Sequence, residues 1–421
     1  MTRVDLRQAV LQGLAPDSGL YMPEKIPRLP ASFWKQWKTC SPAAIAYEIA
    51  ANLVGSAVPE KVLKEIVEQT VSFDVPLVPV EDMVWALELF HGPTLAFKDF
   101  GARFMAGLLG YFVRNEHRQT TILVATSGDT GSAVSSGFHR VEGTRVVVLY
   151  PSGKVSDLQE KQFTTLGDNV TALEVKGTFD DCQRMVKLAF QDTDLAARQK
   201  ITSANSINIA RLIPQSFYYF FAAARFADQE EIIFSVPSGN FGNLTGGVLA
   251  MKMGLPVKCF IAATNVNDIV PVYLQSGKFL PKPSIPTMSN AMDVGNPSNF
   301  ERLLDLFDGN FDAFRAVVKG FAFSDEDTRK AMQAVYSSKQ YILDPHGAVA
   351  YLGLKRYKES MPAGQGIFLE TAHPGKFREV VEEAVHCRVA LPARLRQVLK
   401  KKKRSQLIGN QYAELKEFLI T

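Results

Sequence analysis

One recurring pattern constrains the fold of this 421-residue chain more than any other feature. A short apolar run rich in β-branched residues is followed by a glycine- or serine-containing loop, and then by a stretch with helical spacing. The runs are TTILVAT, TRVVVLY, NVTALEV, EIIFSV, PVKCFIAAT and GIFLET. Strands that are apolar throughout and alternate with helices are typical of a mostly parallel sheet covered on both faces. The pattern therefore predicts an α/β fold.

The first 78 residues are predicted to be mostly helical. PAAIAYEIAANLVG and PEKVLKEIVEQTVSF both have apolar residues at helical spacing, and each begins with a proline, which is favoured in a first helical turn. The next segment, PLVPVEDMVWALELF, is predicted to form strands. It is followed directly by the first segment with candidate site residues, which contains Lys98.

Composition and charge exclude several classes of protein. Hydrophobic residues make up 46% of the chain and charged residues 21%, which is typical of a globular protein and not of a disordered one. The net charge of +4 is too small to indicate a nucleic-acid partner, although a basic run lies at 400–404. Because a short run of this kind is most often a solvated surface, we expect no nucleic-acid and no membrane partner.

Cysteine and histidine spacing gives no sign of a metal site. The four cysteines form no CxxC pair, and the six histidines show no HExxH-like spacing. His91, His346 and His373 each lie beside glycine or proline, where a turn histidine bonded to backbone explains them at least as well as catalysis does. No apolar h-region follows MTRVDLRQAV, and no apolar run is long enough to span a bilayer. We therefore expect a cytoplasmic protein without a metal ion.

A single lysine, Lys98, lies in the apolar segment FHGPTLAFKDFGARFM. A lysine in such a run usually packs its stem while its ammonium stays in water. The alternative is a lysine held away from water, which lowers the pKa of its amine and lets it form a Schiff base with a carbonyl compound. Lys154, Lys161 and Lys376 also lie near loops, but in polar surroundings. Lys98 is therefore the candidate reactive amine.

The loop PSGNFGN, residues 237–243, follows a predicted strand and begins a predicted helix. Gly239 and Gly242 allow the backbone to approach a ligand, and successive N–H groups at a helix start can bind an anion. A tight strand-to-helix turn would need glycine as well, so both interpretations stand on this loop alone. The loop matches neither GxxxxGK[ST] nor GxGxxG, which disfavours a P-loop or a dinucleotide site.

Two further loops offer polar groups at strand ends. TSGDTGSA contributes Ser127, Asp129 and Thr130, although serine and aspartate are also preferred helix caps. SANSINIAR contributes Asn205, Ser206 and Arg211. This second set suits an anionic, oxygen-rich group, although Arg211 could equally be a surface residue.

All these loops are expected at one edge of the sheet, because ligands of such folds bind outside the carboxyl ends of the strands. LETAHPGKF ends the last predicted strand and places Thr371 in a turn. Two anion-binding loops, a lysine kept from water and a polar pocket together indicate a phosphorylated carbonyl cofactor. Pyridoxal 5'-phosphate fits each part, since its phosphate needs a cradle, its aldehyde needs a lysine and its ring nitrogen needs a partner.

Eight stretches closely resemble the threonine synthase family, in the longer form found in bacteria and fungi. They are FHGPTLAFKDFGARFMA, ATSGDTGSA, YPSGKVSDLQEKQ, SANSINIARL, VPSGNFGNLTGG, FIAATNVNDIVP, SNAMDVGNPSN and LETAHPGKF. With the N-terminal QGLAPDSGLYMP, the resemblance covers nearly the whole chain. It implies the fold-type-II pyridoxal-phosphate architecture, with two doubly wound, mostly parallel open-sheet subdomains and a helical N-terminal region.

On this basis we expect three regions. An N-terminal helical domain spans 1–78, and a pyridoxal-phosphate-dependent catalytic core spans 79–380. A smaller subdomain is inserted in the core at about 120–205. A helical C-terminal extension spans 381–421.

The resemblance also implies roles for single residues. Lys98 matches the catalytic Schiff-base lysine, and Thr371 matches the residue that faces the pyridine nitrogen. The cofactor phosphate is assigned to Gly239, Asn240, Phe241 and Asn243. The loop that meets the cofactor and the substrate carboxylate is matched by Ser127, Asp129 and Thr130, with Asp129 in place of the asparagine of more distant relatives. The substrate phosphate is assigned to Asn205, Ser206 and Arg211, with Thr94 as a further candidate.

The family's reaction converts O-phospho-L-homoserine and water into L-threonine and phosphate by γ-elimination and β-addition of water, the last step of threonine biosynthesis. The alternative is another fold-type-II lyase, such as an O-phospho-homoserine lyase or a serine/threonine dehydratase. A catalytically silent relative that binds a ligand is a third alternative, against which the retention of Lys98 and both glycine loops argues. The expected partner is a small-molecule substrate, and both a monomer and a homodimer are open.

Overall fold

The computed structural model describes residues 3–420 and contains two sheets within that range. The strands are β1 (Leu77–Glu81), β2 (Val84–Glu88), β3 (Thr120–Ala125), β4 (Thr144–Pro151), β5 (Val170–Val175), β6 (Lys200–Ser203), β7 (Ile232–Pro237), β8 (Cys259–Thr264), β9 (Val318–Ala322), β10 (Gln365–Glu370) and β11 (Gln406–Ile408). The larger sheet has the order β1-β2-β10-β7-β8-β9 and the smaller one β11-β5-β4-β3-β6. Apart from the antiparallel β1–β2 pair, the strand pairs of residues 3–420 are parallel. The predicted α/β class with two mostly parallel open sheets is confirmed.

Helices fill the connections between these strands. In the first half of the chain they are α1 (Leu6–Gln12), α2 (Ala31–Trp34), α3 (Pro42–Val54), α4 (Glu60–Thr70), α5 (Lys98–Val113), α6 (Asp129–Phe138), α7 (Asp157–Thr164), α8 (Phe179–Gln191), α9 (Thr193–Arg198) and α10 (Ile209–Leu212). In the second half they are α11 (Phe217–Ala223), α12 (Gly242–Lys252), α13 (Ile269–Ser276), α14 (Phe300–Leu306), α15 (Phe311–Val317), α16 (Asp325–Lys339), α17 (Pro345–Lys358), α18 (Arg378–Val385), α19 (Ala393–Leu399) and α20 (Tyr412–Ile420). Short 3₁₀ turns lie at Trp37–Thr39, Gly55–Ala57, Ile213–Ser216, Asn290–Met292 and Pro374–Phe377.

Several helices begin where the sequence supplies a capping side chain. The Ser41 hydroxyl accepts from the Ala44 N–H at the start of α3, and Pro42 follows it in the first turn. Thr178 and Asp181 form a capping box on α8. These bonds satisfy N–H groups that have no partner inside a helix, which stabilises each helix by about 1 kcal/mol.

The core is built on strands whose every residue is buried. β3, β7 and β8 are buried throughout, which agrees with the continuous apolar runs of the sequence. Phe234 and Phe260 pair in register across β7 and β8, and their rings stack with centroids 6.0 Å apart. Full burial of one such ring contributes about 1.5–3 kcal/mol, so these strands fix the position of the loops that leave them.

Each sheet has a point where the winding direction reverses. In the smaller sheet the chain moves from β3 to β4 and β5, and then returns to place β6 on the other side of β3. In the larger sheet β8 and β9 follow on one side of β7, and β10 returns on the other. Ligands of open α/β sheets bind at such reversals, outside the carboxyl ends of the strands. The loops after β3, β6, β7 and β10 are four that the sequence predicts to contribute residues to a ligand site.

The boundaries of the three predicted regions can be compared with the positions of the strands. β1 spans residue 78, and β3 to β6 lie between residues 120 and 203. β11 lies in the segment expected as a helical extension, and it adds an edge strand to the smaller sheet beside β5. Residues 1, 2 and 421 of the predicted regions lie outside the described range. The boundaries at 78 and 380 remain a prediction.

Candidate active site

Lys98 is the first residue of α5, after a loop that is tied to the end of β10. The Phe97 N–H donates to the Thr371 carbonyl at 2.9 Å, and Ala96 forms an isolated bridge with Ala372. The Lys98 side chain is half-buried and makes no ion pair within residues 3–420. The backbone bonds therefore hold this amine beside the loop that carries Thr371.

The surroundings of Lys98 favour its neutral form. Burial lowers the pKa of its ammonium, and the positive charges of Lys376 and Arg211 act in the same direction. The Asp129 carboxylate opposes them, but the net pKa is lowered. A neutral amine is the form that can attack a carbonyl carbon. The lowered pKa favours the interpretation in which Lys98 is a reactive amine over the one in which its ammonium stays in water.

The loop after β7 has the geometry of an anion site. A Cβ at Gly239 would lie 2.8 Å from the Met292 Cα, so only glycine fits there without a shift of backbone. Phe241 adopts a left-handed conformation (φ 61°) and leads into α12 without capping it through a side chain, while the Leu244 N–H of the first turn donates to Asn243 Oδ1 at 3.0 Å. The N-terminus of this 11-residue helix presents a positive end to a ligand.

The two asparagines of this loop brace it. The Asn243 side chain is buried and donates to the Pro237 carbonyl at 2.8 Å, which closes the loop across its base. The Asn240 side-chain oxygen accepts from the Ser298 N–H at 3.1 Å. The loop is therefore held from two sides before any ligand binds.

The loop after β3 is organised by a residue that sequence reasoning missed. The Thr126 hydroxyl is buried and accepts from the N–H groups of Gly128 and Gly131. Ser127 and Thr130, both half-buried, form no side-chain hydrogen bond within residues 3–420. A short polar residue directly after an apolar strand is the signal that could have identified Thr126.

Asp129 lies at the start of α6 and is almost fully buried. Its Oδ1 lies 2.7 Å from the Lys376 Nζ and accepts from the Gln159 side chain at 2.9 Å. Burial raises the pKa of the Asp129 carboxyl, but the charges of Lys376 and Lys98 and these hydrogen bonds outweigh it and hold the pKa below its ordinary value. Asp129 is therefore an ionised carboxylate.

The ammonium of Lys376 has the polar surroundings that were expected, but they lie in the interior of the protein. Its side chain is completely buried, with its ammonium bonded to Asp129 and to the Thr94 carbonyl, the latter at 2.8 Å. It contacts loops from both sheets. Neither partner is near it in sequence, so no local pattern could have identified it.

The segment after β6 leaves polar groups without partners. The Arg211 side chain is 3% exposed, and its Nε has no hydrogen-bond partner within the described residues. The Asn205 side-chain oxygen is also buried and unpartnered. Arg211 has no carboxylate within ion-pair distance in residues 3–420. Burial lowers the pKa of Arg211 to about 10, and the negative charge of Asp99 partly offsets this effect. Unpaired buried polar groups are costly, and an anionic ligand would satisfy the Arg211 Nε–H, whereas the Asn205 oxygen needs a donor.

A second buried guanidinium, Arg302, supports the same segment and was missed by sequence reasoning. It is 1% exposed and donates to the carbonyls of Ser206 and Ile207 and to the Asn299 side chain. Asn299 in turn donates to the Ser206 hydroxyl at 3.3 Å. Burial lowers the pKa of Arg302 to about 9. Arg302 thus fixes Ser206 and adds positive charge beside the predicted phosphate sites.

Two predicted threonines have different surroundings. The Thr371 hydroxyl forms no hydrogen bond within residues 3–420, and the cap of the following turn is His373, whose Nδ1 accepts from the Gly375 N–H at 3.0 Å. The Thr94 hydroxyl already donates to Asp99 at 2.7 Å. Thr371 is therefore free to meet a ligand, whereas Thr94 has a structural partner in addition to its predicted role.

His346 and His373 accept hydrogen bonds from backbone N–H groups, as the backbone interpretation expects, whereas His91 bonds to a carboxylate side chain. His346 Nε2 accepts from the Ala291 N–H at 3.3 Å, and its Nδ1 bonds to Asp344 at 2.6 Å. His91 bonds to Glu88 at 2.7 Å. Among residues 3–420, no three His, Cys, Asp or Glu side chains are grouped so that they could hold a metal ion. No helix of the same range has both the length and the apolar character needed to cross a membrane.

The chain matches three family models that together cover nearly all of it. Residues 71–369 match the pyridoxal-phosphate dependent enzyme family, residues 1–71 the threonine synthase N terminus, and residues 347–419 the threonine synthase C-terminal family.

Individual proteins agree with these family matches. The chain is 45% identical over 423 residues to threonine synthase of Haemophilus influenzae, with 99% of this chain and 97% of that protein covered. The crystal structure of threonine synthase from Escherichia coli superposes with a TM-score of 0.92 at 42% identity, covering 99% and 96% of the two chains. The pyridoxal-phosphate-bound threonine synthase of Brucella melitensis superposes with a TM-score of 0.93 at 33% identity, with the same coverage. This chain therefore belongs to the threonine synthase family of pyridoxal-phosphate-dependent enzymes.

Proposed function

We propose that the chain converts O-phospho-L-homoserine and water into L-threonine and phosphate, with Lys98 carrying pyridoxal phosphate. The observation that carries the proposal is the position of Arg211. Its buried guanidinium, without a carboxylate partner in residues 3–420, acts electrostatically on the Lys98 amine. A reactive amine beside an unpaired guanidinium suits an amino acid that carries a phosphate.

The residues present fit the cofactor. Gly239 leaves no space for a Cβ, and the first turn of α12, which Phe241 does not cap through its side chain, supplies N–H donors for the cofactor phosphate. Lys98 supplies an amine whose pKa is lowered by burial. Thr371 supplies an unpartnered hydroxyl for the ring nitrogen. Gly239, Asn240, Phe241 and Asn243 would hold the phosphate.

Pyridoxal phosphate supplies an aldehyde that binds amines and a ring that withdraws electrons from the adjacent carbon. The protein's own residues then handle protons. The neutral Nζ of Lys98 can accept a proton from the substrate's Cα and deliver it to another carbon, because its long side chain reaches several positions. A neutral hydroxyl such as that of Thr371 places no negative charge at the ring nitrogen and so does not favour its protonation.

We assign the substrate phosphate to the segment after β6, which contains Asn205, Ser206 and Arg211, with Arg302 packed beside it. Within residues 3–420, Arg211 has a buried Nε–H donor without a partner, and Ser206 is held in place by Arg302 and Asn299. Asn205 could meet the phosphate only through its side-chain NH₂ group, because its buried, unpartnered oxygen is an acceptor. Ser127 and Thr130 supply free hydroxyls for the substrate carboxylate at the start of α6. We propose that Arg302 contributes to phosphate binding through its charge and through Ser206.

The test is a product analysis with O-phospho-L-homoserine in buffered water. We expect equal amounts of L-threonine and phosphate. A 2-keto acid in place of threonine would support the alternative, a fold-type-II lyase. That alternative is not favoured, because the family models specific to threonine synthase match both ends of the chain.

Two finer points belong to the same proposal. We place the enzyme in the cytoplasm, which is supported by four cysteines that remain free thiols. We also propose a monomer or a homodimer. Mass measurement by light scattering distinguishes the two states.

A further inference from the structure

Lys376 is a second lysine in the site, and its bonding differs from that of Lys98. Its side chain has no exposed surface, and its Nζ lies 2.7 Å from Asp129 Oδ1 and 2.8 Å from the Thr94 carbonyl. Lys98 makes no ion pair within residues 3–420. Among the described residues, the site therefore contains one lysine held in an ion pair and one lysine outside any ion pair.

Lys376 connects three loops that carry motifs. It lies in the turn Pro374–Phe377 after β10, and its partners lie at the start of α6 after β3 and in the loop before α5. The Thr94 carbonyl also accepts from Gln162 at 3.1 Å, and Asp129 Oδ1 accepts from Gln159 at 2.9 Å. A buried ion pair is tolerated when such additional hydrogen bonds satisfy its charges. This pair joins the two sheets across the site.

The charged groups around Lys98 determine how Lys376 affects the reactivity of the Lys98 amine. The charged groups that act on the Lys98 amine are Asp129 at the start of α6, Lys376 in the turn after β10, and Arg211 in α10. Asp99, the next residue of α5, is bonded to Thr94 instead. Asp129 is the one carboxylate of this set, and Lys376 already occupies its Oδ1. Without Lys376, that carboxylate would have Lys98 as the remaining lysine with which to pair.

We propose that Lys376 is a positioning residue for the reaction: its ammonium holds the Asp129 carboxylate and so keeps the Lys98 amine free to react and to carry protons. A carboxylate bonded directly to Lys98 would stabilise its ammonium and remove the lone pair that attacks the cofactor. This inference rests on Lys98 being the amine that carries the cofactor, as proposed above.

The test measures the reactivity of Lys98 itself, apart from turnover. The full-length chain is freed of cofactor, treated with a small amine-directed acylating reagent between pH 6 and 10, and the modified Lys98 peptide is quantified by mass spectrometry. We expect Lys376→Met to label Lys98 on the order of tenfold more slowly than wild type near neutral pH, because a like charge is lost and an opposite charge is released. The profile should shift to higher pH.

A second variant separates this effect from structural damage. Lys376→Met/Asp129→Asn removes both charges of the pair, so no unpaired charge stays buried. Its Lys98 labelling should return to within about threefold of wild type, since one change weakens and the other strengthens the amine's reactivity. The control is Lys258→Met, which removes a half-buried ammonium paired with Glu231 at 2.6 Å at the opposite, amino end of the strands. It should leave the Lys98 profile unchanged.

The outcomes are distinct. A folded Lys376→Met variant with the wild-type labelling profile overturns the proposal. If that variant does not fold, Lys376→Gln takes its place, because it can still donate to the Thr94 carbonyl but carries no charge, and a wild-type Lys98 labelling profile in it overturns the proposal. Borohydride reduction of the loaded wild-type enzyme is run in parallel. A label on a lysine other than Lys98 would instead overturn the proposed cofactor assignment.

Discussion

The Arg211 guanidinium lies against Gly101, one turn after Lys98 on α5. A Cβ at Gly101 would be 2.7 Å from Arg211 Nε and 3.0 Å from the Arg211 carbonyl. This close approach brings a buried guanidinium beside the reactive amine. The absence of a side chain at position 101 is therefore a requirement of the proposed substrate-phosphate site.

We first predict that Gly101→Ala and Arg211→Gln both weaken binding of O-phospho-L-homoserine while leaving the cofactor spectrum intact. Loss of a charge-assisted hydrogen bond costs about 1.5–3 kcal/mol, or roughly a ten- to hundredfold increase in KM. The comparison is with Gly239→Ala, where the new Cβ meets the Met292 backbone and pyridoxal phosphate should be lost instead. Equal loss of cofactor in the Arg211 and Gly239 variants would contradict this division between the two anion sites.

A second prediction concerns the lysine that carries the cofactor. Lys98→Ala should abolish turnover and leave no covalent cofactor after borohydride reduction, because the other buried amine, Lys376, is held in an ion pair. Lys154→Ala is the control, since Lys154 is exposed in the loop after β4. It should keep full activity. A covalent label on Lys376 in wild type would show that the two lysines have been assigned the wrong way round.

The sequence predicted the buried strands better than the edge strands. β3, β7 and β8 are enclosed on both faces and therefore appear as continuous apolar runs. β6 and β11 were not predicted because they lie at the edges of the smaller sheet, where two of the four β6 residues and two of the three β11 residues are exposed or partly exposed. A short strand with mixed burial has no apolar run and no clean alternation.

The loops of the site were predictable, but the residues that hold them were not. Glycine and hydroxyl residues directly after an apolar strand identify a loop locally, as at Gly239 and Ser127. Arg302 contacts Ser206 and Tyr21, which are 96 and 281 residues away in sequence. Such a partner is fixed only when the sheets assemble. Residues that form local turns could therefore be predicted from the sequence, whereas residues that act through contacts between distant segments could not.

A third prediction tests the position of Thr371. If its free hydroxyl meets the ring nitrogen, Thr371→Asp would place a negative charge there and favour protonation of that nitrogen. Electron withdrawal would increase, so we expect an altered absorption spectrum with O-phospho-L-homoserine and a larger share of keto-acid product. Thr371→Ser keeps the hydroxyl and should behave like wild type. Unchanged spectra and product ratios in the Asp variant would place Thr371 away from the ring.

The last prediction concerns Glu370, the residue before Thr371. Its side chain is completely buried, its Oε1 has no partner within residues 3–420, and a Cβ on Gly347 would lie 2.0 Å from that oxygen. Burial, and then the negative charge of Asp344, raise the pKa of Glu370 well above its ordinary value of 4.5. Asp344 stays ionised because His346 pairs with it, although burial alone would raise its pKa. These surroundings favour the neutral acid form of Glu370 in the folded protein.

The sign of the pH dependence follows from that difference. Above pH 4.5 the unfolded chain releases the Glu370 proton while the folded chain keeps it, so the free energy of unfolding falls as pH rises towards the folded pKa. Glu370→Gln has the same shape and no proton to lose. Relative to wild type, its stability should therefore grow by up to about 1.4 kcal/mol per pH unit. Urea unfolding of both proteins at pH 5.5, 6.5 and 7.5 measures this growth.

Glu379→Gln is the matched control, because it makes the same chemical change at an exposed position on α18. Its stability relative to wild type should not change across the same pH range. If Glu370→Gln also shows a constant difference, Glu370 is ionised in the folded protein, and its negative charge would then lie next to Thr371. In that case the neutral surroundings proposed for the ring nitrogen would fail together with this prediction.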